Sequence, residues 1–217
     1  MNMIVPYKTP LLLQKVMPGF IWKVKASDKT LYLTFDDGPV PDLTEYVLET
    51  LEHFKAKATF FCVGDNVRKY PELFRRLYRS GHAIGNHSYN HLNGWLTGAK
   101  EYVDNVEKSR MEMKKAMPEV RVTMFRPPYG KITPAQAILL KKRYKIIMWS
   151  LLAMDFNPAH HAEKSLDEMK KHTKNGSIIV FHDNYKAEKK LKVMLPEILS
   201  WYSGLGYRFE SLKQAVS

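Results

Sequence analysis

The chain has 217 residues, 45% of them hydrophobic and 12% aromatic, which suits one domain with a core of ordinary size and excludes wholesale disorder or two full domains. Thirty-four Lys+Arg against 22 Asp+Glu leave a net charge of +12. That surplus favours anionic surroundings, nucleic acid, anionic lipid head groups or an acidic polymer, and says nothing about fold.

Residues 1–29 open MNMIVPYKTPLLLQKVMPGFIW, with short apolar runs broken by Pro6, Lys8, Pro10, Gln14 and Lys15. They lack the continuous apolar stretch and small-residue cleavage site of a signal peptide, and nothing approaches the roughly 18 apolar residues of a membrane span. The segment reads as a strap packed on the domain at 30–217. The other reading is a short amphipathic helix on a membrane, with Leu11, Leu12, Leu13, Val16, Phe20 and Trp22 as its apolar side. A location in the cytoplasm or at the inner membrane face is the expectation.

From residue 30 onward, short apolar runs alternate with longer amphipathic ones. The pattern predicts strands at 30–35, 58–63, 82–85, 122–125, 145–150, 177–181 and 207–210. Helices are predicted near 42–54, 71–80, 100–117, 134–143, 161–173 and 186–202. Pro71 and Pro134 suit first helical turns, and Gly81 and Gly204 mark helix ends. Seven strands alternating with six helices give an α/β fold with about seven mostly parallel strands, a closed or distorted barrel rather than an open sheet. The lone cysteine, Cys62, lies in an apolar strand-like run as a small hydrophobe, so no internal disulfide exists. Lysine and arginine clusters such as Lys141-Lys142-Arg143 are scattered over solvated faces. No nucleic-acid-binding module accompanies them, so no specific nucleic-acid partner is expected.

In parallel α/β folds, sites assemble at the carboxyl ends of strands. Here those ends carry Asp36-Asp37, His87, Arg126, Asp155 and His182. Asp36 and Asp37 form either a simple turn before Gly38-Pro39 or a pair with divided roles, since neighbours on an extended chain point opposite ways. One can then bind a cation while the other handles a proton. His87 and His91 are four residues apart, which puts both imidazoles on one side of a helical turn. With one carboxylate they make a two-His, one-Asp set with open positions, suited to zinc, cobalt, nickel or ferrous iron and able to acidify a bound water.

In Arg126-Pro127-Pro128-Tyr129-Gly130 the prolines stiffen the loop. Arg126 is either a surface salt bridge or a bidentate holder of a carboxylate, and the Tyr129 N–H can stabilise an oxyanion. His182, at the end of an apolar strand, is placed for proton transfer. His53, His82, His160, His161 and His172 lack matching partners and read as surface or structural residues.

TFDDGP, HSYNH, RPPYG and VFH, in that order between residues 30 and 212, resemble the polysaccharide deacetylases of carbohydrate esterase family 4. The resemblance implies a distorted (β/α) barrel. It also implies metal-dependent hydrolysis of an N-acetyl, occasionally O-acetyl, group on an amino sugar of a polysaccharide, oligosaccharide or glycan precursor. By the same resemblance Asp36 is the general base, Asp37, His87 and His91 hold one divalent metal, zinc first, and Arg126 braces Asp36. The Tyr129 amide contributes to the oxyanion hole and His182 is the general acid.

The chain departs from the family at 152–156. Leu152 and Phe156 stand where Asp and Trp are usual, and Asp155 remains to pair with Arg126 or to tune His182. Tyr89, Trp95, Tyr129 and Phe156 either stack on sugar rings or pack in the core. The alternatives are a deformylase or deacetylase of a lipid-linked amino sugar, and a carbohydrate-binding protein without activity.

Overall fold

A computed structural model describes residues 6–215. Eight strands form one sheet: β1 (Thr30–Asp36), β2 (Thr59–Cys62), β3 (Ala83–Asn86), β4 (Met124–Phe125), β5 (Lys145–Ile146), β6 (Leu151–Leu152), β7 (Ile178–His182) and β8 (Arg208–Phe209). Their order is β5-β4-β3-β2-β1-β7-β6, with β8 paired to the first residues of β1. Every pairing between these strands is parallel. The sheet is the expected distorted barrel, open between β5 and β6.

Strand β1 lies at the middle and all seven of its residues are buried. A strand covered on both faces must be apolar on both, and Thr-Leu-Tyr-Leu-Thr-Phe meets that demand by giving its Thr34 hydroxyl the Ile179 carbonyl as acceptor at 2.9 Å. Phe35 stacks on Phe60 and Phe181, with ring centroids 5.0 and 6.0 Å away.

Around the sheet run α1 (Leu11–Val16), α2 (Leu43–His53), α3 (Gly64–Lys69), α4 (Pro71–Arg79), α5 (Ala99–Ala116), α6 (Pro134–Leu140), α7 (Ala162–His172), α8 (Glu188–Gly204) and α9 (Leu212–Ala215). Pro71 and Pro134 open α4 and α6 as expected, and α6 adds a Thr133/Gln136 capping box that satisfies two N-terminal N–H groups.

Three features differ from the sequence expectation. The strand at 145–150 is two short strands, because the Ile147 and Met148 carbonyls turn to the Arg126 guanidinium. Helix α8 runs past 202 through Gly204, since Tyr202 packs inward and bonds Met169, and Gly206 at φ +76° takes the left-handed position after the helix. Helix α3, absent from the expectation, lies so close to α5 that a Cβ on Gly64 would stand 2.6 Å from the Ser109 Cα.

The N-terminal segment covers the sheet opening. Leu152 N–H donates to the Tyr7 carbonyl and Thr9 N–H to that of Ser150, while Ile21 exchanges bonds with Ile146 and Met148. Phe20, Trp22 and Val24 are buried, whereas α1 buries nothing and leaves Leu11, Leu12 and Val16 exposed. Residues 1–5 of that segment lie outside the described residues. No helix among the described residues is long and apolar enough to cross a membrane.

Phe35→Ala should lower unfolding stability by about 3–5 kcal/mol. Leu12→Ser should change it by less than about 0.5 kcal/mol. Urea denaturation midpoints of the two variants check the contrast.

Candidate active site

Strand β1 delivers Asp36 to the carboxyl edge of the sheet, in register with His182 on β7. The next residue, Asp37, has φ +83°, and this left-handed turn separates the two carboxylates. Asp36 Oδ1 accepts from Arg126 Nη1 at 2.6 Å. Asp37 Oδ1 faces two imidazoles, 3.1 Å from His91 Nε2 and 3.5 Å from His87 Nε2. It is buried, and no donor meets it at hydrogen-bonding geometry. Asn184 Nδ2 holds the other oxygen at 2.5 Å, and Asn66 holds the Asp37 carbonyl.

His87 Nδ1 lies 2.8 Å from the Arg126 carbonyl. A carbonyl only accepts, so the proton sits on Nδ1 and the Nε2 lone pair points toward Asp37. Burial pushes the His87 imidazole down to about 4 despite the nearby Asp36, keeping it neutral. In the same cluster, burial works against the Asp37 carboxylate. The close approach of His91 Nε2 and the charge of His182 outweigh it and hold the carboxyl well below its usual range. The three donor atoms lie within 4.8 Å of one another. An orphaned carboxylate oxygen beside two imidazole nitrogens is a donor set that fits one divalent cation.

The two histidines do not meet on a helical turn. Residues 87–91 are a loop with Ser88 at φ +63° and His91 at φ +59°, and two left-handed residues bring the ring centroids to 5.0 Å. Asn86 fixes the loop by accepting from Ser88 N–H and donating to the Val106 carbonyl.

Arg126 is fully buried and is not a surface salt bridge. Nor is it bidentate on one carboxylate: Nη1 reaches Asp36 and Thr34 Oγ1, Nη2 the Met148 carbonyl, and Nε the Ile147 carbonyl. Its guanidinium carbon lies 4.1 Å from the Phe61 ring centroid. Every polar edge of the cation is satisfied, as burial of a charge requires.

Of the two partners open to Asp155, the structure gives it His182. One oxygen meets His182 Nδ1 at 2.8 Å and the other accepts the His182 N–H at 2.7 Å. Burial opposes the imidazolium, but Asp155 outweighs it and raises His182 to about 9. Phe156 packs edge-on against His182 at 4.7 Å, and Leu152 packs among Met154, Val180 and Trp149. Tyr129, at φ +60°, lays its exposed ring 4.5 Å from that of His91.

Sequence reasoning missed Thr34, Asn66, Asp183 and Asn184. Asp183 is buried and accepts from Gly38 N–H and the Thr44 hydroxyl, and burial pushes its carboxyl up to about 8. A Cβ on Gly38 would meet Asp183 at 1.9 Å, so this contact sets the turn after Asp37. The position of Asp183 beside His182 was a signal for it. Thr34, Asn66 and Asn184 carried none, because each acts through a chain segment distant in sequence. Among the histidines read as structural, His82 is buried and accepts the Ala58 N–H.

Residues 23–146 match the family model described as Polysaccharide deacetylase. The chain is 31% identical over 210 residues to a peptidoglycan-N-acetylglucosamine deacetylase of Bacillus cereus, spanning 95% of this chain and 98% of that protein. It is 32% identical over 162 residues to a chitooligosaccharide deacetylase of Azorhizobium caulinodans, spanning 74% and 77%. The crystal structure of the Bc1960 peptidoglycan N-acetylglucosamine deacetylase in complex with 4-naphthalen-1-yl-N-oxidanyl-benzamide is similar at a TM-score of 0.86 and 27% identity, covering 95% of this chain and 96% of that one.

Calorimetric titration with zinc should give one strong site per chain. His87→Ala and His91→Ala should each weaken it by about 100-fold or more, whereas Asp36→Asn, which removes none of the three donor atoms, should retain it.

Proposed function

The chain belongs to the polysaccharide deacetylase family, and from that membership we propose that it removes N-acetyl groups from N-acetylglucosamine-containing glycans, peptidoglycan before chitooligosaccharides. The observation that carries this reading is the Asp37–His87–His91 cluster set beside a carboxylate fixed by a buried arginine. His87 Nε2 and Asp36 Oδ2 are 4.0 Å apart. A carbohydrate-binding protein without activity is expected to have lost a base, a ligand or an acid, and this sequence retains Asp36, Asp37, His87, His91 and His182.

Asp37 Oδ1, His87 Nε2 and His91 Nε2 are the atoms that would hold a divalent cation, zinc first, with cobalt, nickel and ferrous iron suited to the same donors. Bound there, the cation supplies Lewis acidity, which acidifies water and polarises an acetyl carbonyl. The chain's own groups do the rest. Arg126 occupies Asp36 Oδ1 and fixes the carboxylate, leaving Oδ2 to take the proton of the attacking water. The Tyr129 N–H donates to the carbonyl oxygen as negative charge collects on it. His182, held protonated by Asp155, passes its proton to the sugar nitrogen as the C–N bond breaks, and acetate and a free amine leave. An amide needs this proton because an amine anion is a poor leaving group.

Acetate release from peptidoglycan fragments and chitooligosaccharides should be abolished by chelation and restored by zinc or cobalt. Asp36→Asn should lower kcat by about 100-fold or more with the metal still bound. No acetate from either substrate with one ion bound per chain would overturn the reading. A general acid acts while protonated, so activity should fall as pH rises through the His182 pKa, near 9. Asp155→Asn removes the carboxylate that raises it, so the alkaline limb should move about one to three units lower.

A further inference from the structure

Beyond Tyr129 the surface continues through half-buried Lys131 to exposed Trp95, groups that the proposed reaction does not use. Lys131 Nζ lies 5.9 Å from the Tyr129 ring and 5.2 Å from that of Trp95. The Tyr129 ring is 61% exposed and Trp95 59% exposed. Among the described residues Lys131 pairs with no carboxylate.

This line is built rather than incidental. The turn at Gly94–Leu96 that carries Trp95 presses so closely on the next loop that a Cβ on Gly94 would stand 2.4 Å from the Lys131 carbonyl. Buried Gln136 ties the two loops together. Its Nε2 donates to the carbonyls of Gly94 and Thr97, and its Oε1 accepts the Thr133 N–H. On the other side, a Cβ on Gly130 would lie 2.7 Å from Trp149, so the turn between Tyr129 and Lys131 is packed down as well. Two aromatic rings held by an ammonium that has no carboxylate partner among the described residues match a pyranose ring that bears an acid: the sugar stacks on the open ring faces and the cation meets the carboxylate.

We propose that Tyr129, Lys131 and Trp95 form a subsite for a sugar carrying a carboxylate, next to the sugar that is deacetylated, so that the enzyme favours acidic N-acetylated glycans over neutral ones. The proposal rests on the deacetylase reading and names its substrate class. The net charge of +12 acts in the same direction over longer range, so the test must separate a local contact from the general field.

The probes are peptidoglycan glycan fragments with free lactyl carboxylates and the same fragments with those carboxylates converted to methyl amides. The wild-type kcat/KM should favour the free acids by about fivefold, the scale of one exposed charge contact, through KM. Lys131→Gln should bring the ratio close to one, and Lys131→Arg should keep it. Lys171→Gln, the same charge change on α7, should leave the ratio as in wild type. A ratio near one in the wild-type enzyme, or one that survives Lys131→Gln, overturns the subsite. If neither fragment releases acetate, the deacetylase reading fails. Calorimetric binding of the two fragments to the same four proteins then still decides whether Lys131 selects the acid.

Discussion

Arg126 is a full guanidinium charge buried at the centre of a sheet, and its needs organise the strands around it. Burying such a charge without partners costs many kcal/mol. Here Asp36, the Thr34 hydroxyl and two main-chain carbonyls take its N–H groups, and Phe61 covers its face. The two carbonyls lie between β5 and β6, and their turn to the guanidinium is what interrupts the strand there. The same arginine then acts at both ends: its side chain fixes Asp36, and its own carbonyl fixes the His87 tautomer. One buried cation thus sets the orientation of the Asp36 carboxylate and of the His87 imidazole.

Strain gathers at the same place. Asp37, Ser88, His91, Tyr129 and Met154 all have left-handed backbones without being glycine, a conformation that costs on the order of 1–3 kcal/mol per residue. Each sits one to five residues beyond a strand end or at the edge of the site. Side chains pointing along a strand cannot converge, and a left-handed residue is a short way to redirect one. The surrounding sheet, with Phe35, Phe60 and Phe181 stacked beneath, supplies the rigidity that holds these turns.

Four acids near the site show how environment divides one chemistry into several. Asp37 is held ionised by imidazoles and Asn184. Asp36 is locked to a guanidinium. Asp155 keeps His182 protonated. Asp183, with only a hydroxyl and an N–H as partners, is pushed toward the neutral acid. Burial raises a carboxyl pKa unless a partner outweighs it, as the histidines do at Asp37 and as the Thr44 and Gly38 contacts at Asp183 do not.

The sequence by itself determined the alternation of strands and helices and the parallel sheet, and it offered Asp36, Asp37, His87, His91, Arg126, Tyr129, Asp155 and His182 as candidates. Those features are local: strand periodicity, proline and glycine punctuation, and polar residues at strand ends are read within a few residues of chain. Only the tertiary structure decided that Asp155 serves His182 rather than Arg126, and that Arg126 spreads its N–H groups over four acceptors. It also decided that His87 and His91 meet through left-handed turns, and that Thr34, Asn66, Asp183 and Asn184 belong to the site. Apart from the turns at Ser88 and His91, these depend on pairings across 21 to 147 residues of sequence, where no local propensity carries information and only the closing of the sheet brings the partners within bonding distance.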